Sequence, residues 1–238
     1  MPAIEVTEEG GRTIVQPLRS GSAAGQILLG CGILSSLLYA ATDISGGLLY
    51  PGYSFASQTI SELAAKGAPS EPFVAPLFLV YDVLALAFGI GVFLEAAGRS
   101  RALRITGALL IGHAVVGFVG AAAPSFFEMD QRGAGSLASD APHIVLMAVI
   151  VLLLLLAIGF GAFTLGRRFR IYSFATLLTI VLFGALTARF AASIGAGQPT
   201  PRVGIIERID VYAPLLWIAV LAVALLQRRR RLALEVFR

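Results

Sequence analysis

Asp82 and His113 are ionisable residues set deep inside apolar runs. A carboxylate and an imidazole exchange protons near neutral pH. At 1.5 Å per helical residue, each lies about 13 Å in from one end of its run, Asp82 from Phe73 and His113 from Arg104. On consecutive antiparallel helices that places both near the midplane, positioned to meet. They read as a structural hydrogen-bonded pair, as two unrelated residues capping backbone and hydroxyl groups, or as a proton relay or ion-coupling site.

A second group gathers at one end of the apolar runs. Asp140-Ala-Pro-His143 opens a run, with Asp140 suited to an N-cap and Pro142 to the first helical turn. That leaves His143 as a candidate general acid or base, oriented by Asp43, Asp140 or Glu62. Ser57 and Ser61 add hydroxyls at the same level. Arg189 stands at comparable depth to Glu207 and Asp210, with Arg208 beside them. An ion pair of Arg189 with Asp210 or Glu207 is the structural expectation. The functional alternative is an anion site, because a guanidinium grips phosphate or carboxylate in bidentate fashion.

Other chemistries are excluded. A bis-histidine haem needs two imidazoles at one depth, and His113 and His143 are not. A retinal Schiff base needs a lysine within a span, but Lys66 is the sole lysine and lies in a loop. No run carries the repeated arginines of a voltage sensor, and two histidines cannot supply three to zinc. A metal site of one histidine with carboxylates is left open; no other cofactor or metal is expected.

The elements that position these groups are six apolar runs, at about 24–45, 73–95, 104–123, 142–165, 171–194 and 205–227. Each reaches the roughly 20 residues needed to cross a hydrocarbon core. Charged residues are 13% of the chain and mean hydropathy is +0.85. The runs are continuously apolar rather than alternating, which excludes barrel strands. The expectation is an all-α, six-span membrane bundle at 24–227, with an arm at 1–23 and a basic tail at 228–238. Glu5, Glu8 and Glu9 stand where a signal peptide would be basic, so the first run is read as retained. Cys31, the single cysteine, permits no internal disulfide.

The charge of +4 is no sign of nucleic-acid binding, since the basic residues sit at span ends. Arg99, Arg101 and Arg104, then Arg167, Arg168 and Arg170, then Arg228–Arg231 all fall on one side. The positive-inside rule makes that side, and both termini, cytoplasmic in a multi-pass cell-membrane protein. The partner expected is membrane lipid. Glycines in the first and third runs permit a homo-oligomer or a place in a larger complex, and serve internal packing equally well.

The arm, with Gly10, Gly11 and Pro17, is expected to be mobile or loosely helical. The loop after the first run is the most structured non-spanning segment. Pro51-Gly52 signals a turn, Thr59 and Glu62 form a capping-box pattern, and Gly67 suits a helix stop. The short helix between should lie on the membrane surface or fold back over the outer mouth.

Tyr50-Pro51-Gly52-Tyr53, Gln58-Thr59-Ile60-Ser61-Glu62-Leu63, Asp140 to His143 and Glu207-Arg208 together resemble the domain of unknown function 998 family of bacterial and archaeal membrane proteins. The resemblance covers nearly all of the chain after residue 22. It implies a multi-span bundle and supports an outward-facing constellation, but carries no substrate. The layout is also loosely similar to the alkaline ceramidase and adiponectin-receptor hydrolases, which use a serine, an aspartate and three histidines around zinc. Too few histidines and one span fewer than seven depart from that pattern.

Three functional readings follow. The first is binding of a lipid or other amphiphile at an outward-facing polar mouth, in a groove ending at Arg189. The second is a membrane-embedded enzyme on lipid or isoprenoid substrates, using His143. The third is a small proton-coupled transporter using Asp82 and His113.

Overall fold

The computed structural model describes residues 4–9, 12–17, 23–96 and 100–236. Gly10, Gly11 and Arg99 lie outside them. Six helical stretches are long and apolar enough to cross a membrane. They comprise α1 (Ala23–Leu49), α2 (Glu71–Glu95), α3 (Arg101–Ala122), α5 (Ala141–Gly161), α6 (Arg167–Ala188), extended by the short α7 (Ala191–Gly195), and α8 (Val203–Val236). A one-turn helix α4 (Pro124–Phe127) lies between α3 and α5. Large apolar side chains such as Leu37, Leu48, Leu178 and Leu216 stand more than half exposed, as lipid-facing residues do.

The spans close a ring in chain order. α1 packs on α2, α2 on α3, α3 on α5, α5 on α6, α6 on α8, and α8 returns to α1. The α5–α6 seam is the sparsest. Small residues let backbones approach: a Cβ at Gly107 would stand 2.5 Å from the Phe93 backbone nitrogen, and one at Gly32 would strike the Phe88 ring. These glycines of the first and third spans are thus spent on internal packing.

Toward the Arg-rich end the ring is filled. Phe88, Leu110, Trp217, Ile218, Leu221 and Leu225 form a core with almost no exposure. Trp217 donates its indole N–H to Ser173 Oγ at 2.9 Å, so its polar atom is satisfied inside the apolar packing. Below this core, Arg229 of α8 pairs with Glu95 of α2, both buried. The helix therefore continues unbroken to Val236, within the 228–238 stretch read as a basic tail, because one of the four arginines is a buried partner rather than a solvated flank.

Two further expectations are corrected. Ile4–Glu9 (β1) and Arg12–Pro17 (β2) pair as an antiparallel hairpin, not as a loose helix. β-Branched residues such as Val6, Thr7, Thr13, Ile14 and Val15 favour strand over helix. α1 also runs on to Leu49, past the end of the first apolar run at residue 45, and Asp43 is fully buried within it.

Candidate functional site

Loop residues from three parts of the chain knit a lid over the end of the ring opposite the arginines. The 50–60 segment leads into a single 3₁₀ turn, Ser61–Ala64. The capping-box pattern is realised here as reciprocal bonds: Thr59 N–H donates to Glu62 Oε2 at 2.7 Å, and Glu62 N–H to Thr59 Oγ1 at 3.3 Å. Gly67 follows at φ +71°, a left-handed conformation that glycine adopts without a Cβ penalty. The turn folds over the ring mouth, as the second of the two alternatives held.

Two arginines fasten this lid. Arg208 of α8 grips Asp43 of α1 with Nε and Nη2 at 2.9 and 2.7 Å. Its Nη1 donates to the carbonyls of Phe55, Gln58 and Gly204, and Nη2 also donates to the Tyr53 hydroxyl at 2.8 Å. The Tyr53 hydroxyl donates onward to the Thr59 carbonyl at 2.7 Å, and Tyr212 donates to Asp43. Burial pushes the Tyr53 hydroxyl further up from its ordinary pKa, so it stays a donor. Arg132 grips Glu62 with Nε and Nη2, both at 2.8 Å, and reaches Thr200 and the carbonyls of Ser57 and Gln198. Glu207, buried on α8, accepts from the Ile60 backbone N–H.

Most of the expected outer constellation is thus engaged internally. Asp43, Glu62, Glu207 and Arg208 hold the lid, and Ser57 contributes its carbonyl. Asp140 does occupy the N-cap position of α5, but its side chain makes no cap bond and accepts from the Asp130 N–H at 2.8 Å. The competing loop donor wins the carboxylate. His143 bonds the Phe127 carbonyl through Nδ1 at 2.9 Å, and among the described residues no hydrogen bond links it to a carboxylate. Arg189 is exposed, and among the described residues no ion pair joins it to Asp210 or Glu207. Asp210 is turned instead toward Gly184 of α6, where a Cβ would stand 3.4 Å from its carboxylate.

Beneath the lid lies a cavity of about 270 Å³, lined mostly by apolar side chains of α2, α3, α5 and α8. Ile60, Ser61 and Ala64 of the lid line its top, and Leu154, Ile180 and Ile218 merge into the packed core below. It is a well with a packed floor. Asp82, His113, His143 and Asp210 all line it. Asp82 and His113 thus share one space without bonding each other. The His113 ring bonds the Ile150 carbonyl through Nδ1 at 3.3 Å and faces the Tyr81 hydroxyl through Nε2 at 3.5 Å. Asp82 packs instead over Gly117, where a Cβ would come within 2.3 Å of its Oδ1.

Hydrogen-bond satisfaction separates the well from the lid. Asp82 is 6% exposed, and among the described residues no hydrogen bond or ion pair engages it. Asp210 Oδ1 is buried with no hydrogen-bond partner. A buried polar group without a partner is rare and asks for an explanation. Among the described residues no group of three or more His, Cys, Asp and Glu gathers to hold a metal ion.

Sequence reasoning passed over Arg132, Tyr53 and Tyr212 as site members, and Arg132 in particular looked like an ordinary loop charge. The one available signal was Glu62, an acid inside a capping box beside apolar residues that needed a cation. Comparison with known families gives a match to the model described as protein of unknown function (DUF998) over residues 33–224. No curated protein and no solved structure matches the chain.

Proposed function

The chain belongs to the family described as protein of unknown function (DUF998), and from that footing we propose that it binds one small lipid or other amphiphile inside the helix ring. The observation that carries this reading is Asp82, a buried carboxyl without a protein partner, facing a largely apolar well. Unpartnered carboxyls inside a membrane span are costly and mark functional sites. The volume sits near the lower end of small-molecule pockets, roughly 300–1,000 Å³, which fits a single short-chain amphiphile. An apolar body would lie against Leu154, Ile180 and Ile218, with its polar end level with Asp82 and Asp210.

This relocates the site from the outer mouth to the ring interior. The mouth's charges, the exposed Arg189 apart, are spent on the lid, whereas the well's are available. With the arginine-rich end cytoplasmic in the cell membrane, as the charge distribution predicts, the lid faces outward. The packed floor at Phe88, Trp217 and Leu221 favours a binding well over a through-path, so the carrier reading ranks below it.

Native mass spectrometry of the protein in mild detergent tests the proposal. A molecule of lipid or amphiphile mass should co-purify, and should be lost from Ala121→Phe, which places a ring in the well. A folded Ala121→Phe protein that retains the same molecule would place the ligand elsewhere and overturn the reading.

A further inference from the structure

The unpaired groups of the well are acceptors. Asp82 and Asp210 present carboxyl oxygens. His143 adds a third: a carbonyl only accepts, so the Nδ1 facing Phe127 O must carry the hydrogen. The neutral ring then offers Nε2 as a lone-pair acceptor. Glu128 lines the rim. The hydroxyls of Tyr39 and Ser61 donate as well as accept, and among the described residues no lysine or arginine lines the cavity. The nearby guanidiniums of Arg208 and Arg132 are saturated by Asp43, Glu62 and backbone carbonyls.

The wall beside Asp82 is aromatic. Tyr39 packs against Phe78 at 5.1 Å and against Tyr81 at 5.0 Å between ring centroids, and all three rings line the well. Aromatic faces attract a cation, most strongly where water is excluded. An ammonium is a compact charge with three donors and no acceptor. It complements acceptors and aromatic faces together.

We propose that the ligand of this well is a cationic amphiphile, a protonated amine on an apolar body, with Asp82 and Asp210 receiving the ammonium among Tyr39, Phe78 and Tyr81. The assignment rests on the binding reading above and narrows it to one charge class. A ligand headed by carboxylate or phosphate would meet like charge, which selects against it.

Isothermal titration of octylamine, octanol and octanoate into the detergent-solubilised protein separates the possibilities. Octylamine should bind at least about tenfold more tightly than octanol, the increment expected of hydrogen bonds to a charged group, and octanoate should not bind. Asp82→Asn and Asp210→Asn should each weaken octylamine about tenfold, and by more than they weaken octanol. The comparison of three ligands on the unaltered protein stands even if a variant fails to fold. Octanoate binding as tightly as octylamine would overturn the proposal, as would an amine affinity indifferent to both asparagine variants. Octanol binding with octylamine excluded would keep the well as a site and sink the ammonium class. No binding by any of the three, with no co-purifying molecule, would sink the well itself.

Discussion

The lid and the well hold the same kinds of residue under opposite conditions. In the lid, Asp43 and Glu62 are each gripped by a two-pronged guanidinium and by further donors. Asp82 and Asp210 line the well with no such partner. Polarity within a membrane bundle therefore does not by itself mark a functional site. What separates the two regions is whether the protein satisfies its own groups. A saturated network fixes structure, while an unsatisfied buried group is left for something else to complete.

The same substitution at the two levels gives the sharpest way to break that contrast. Asp43→Asn leaves Arg208 buried without its counter-charge, and removing one partner of a buried pair costs about 3–5 kcal/mol. Thermal or denaturant unfolding in detergent should show that loss. Asp82→Asn should move the unfolding midpoint little, within about 0.5 kcal/mol, because no pairing is broken. If the two variants destabilise alike, the distinction between lid and well fails.

Arg132→Ala comes next. It strands Glu62 on the Thr59 donors and frees the carbonyls of Ser57 and Gln198, for a loss of about 1–3 kcal/mol. Protease sensitivity of the 50–70 segment should rise with it. Unchanged cleavage would show that Arg208 alone holds the lid.

The smallest effects concern pH at the exposed rim. Hydrogen bonding by Ser139, then by Lys66, holds the Asp130 carboxyl below its usual range. Its folded pKa is depressed, so its contribution is present above the ordinary carboxylate value and fades as pH falls through the lowered one. Burial, then Glu71, pushes Glu128 the other way. Its ionisation opposes folding increasingly as pH rises from the ordinary value to the raised one. Unfolding midpoints across the acid range should therefore fall less steeply with acid in Asp130→Asn. At neutral pH, Glu128→Gln should be slightly more stable than the parent. A Glu128→Gln midpoint below the parent at neutral pH would contradict the assigned sign.

Six spans and the lid motif were legible from sequence because both are local. An apolar run declares its own length, and Thr59 and Glu62 signal each other across one turn. The pairs that close the lid were not legible. Arg132 meets Glu62 across 70 residues, and Arg208 meets Asp43 across 165. Depth brought Asp82 and His113 into one cavity, but Asp82 packs over Gly117, one turn along α3 from His113, whose ring bonds the Ile150 carbonyl, and depth says nothing of rotation about the helix axis. The same ignorance misdirected Arg189 and Asp210, whose equal depth suggested a pair that the azimuth of α6 denies.

Arg208 and Arg229 lie on one unbroken helix, each locked in a buried ion pair with another span, Asp43 on α1 and Glu95 on α2. At 1.5 Å per residue they stand about 32 Å apart along α8, close to the roughly 30 Å of a bilayer's hydrocarbon core. The two pairs thus act as a fixed gauge of membrane thickness. A thicker bilayer must thin locally around the protein, and a thinner one must tilt it or thicken, because the spacing of the two pairs cannot follow the bilayer. The ring's fit to its surroundings is set by these two charged rivets, spaced by a rod that does not stretch.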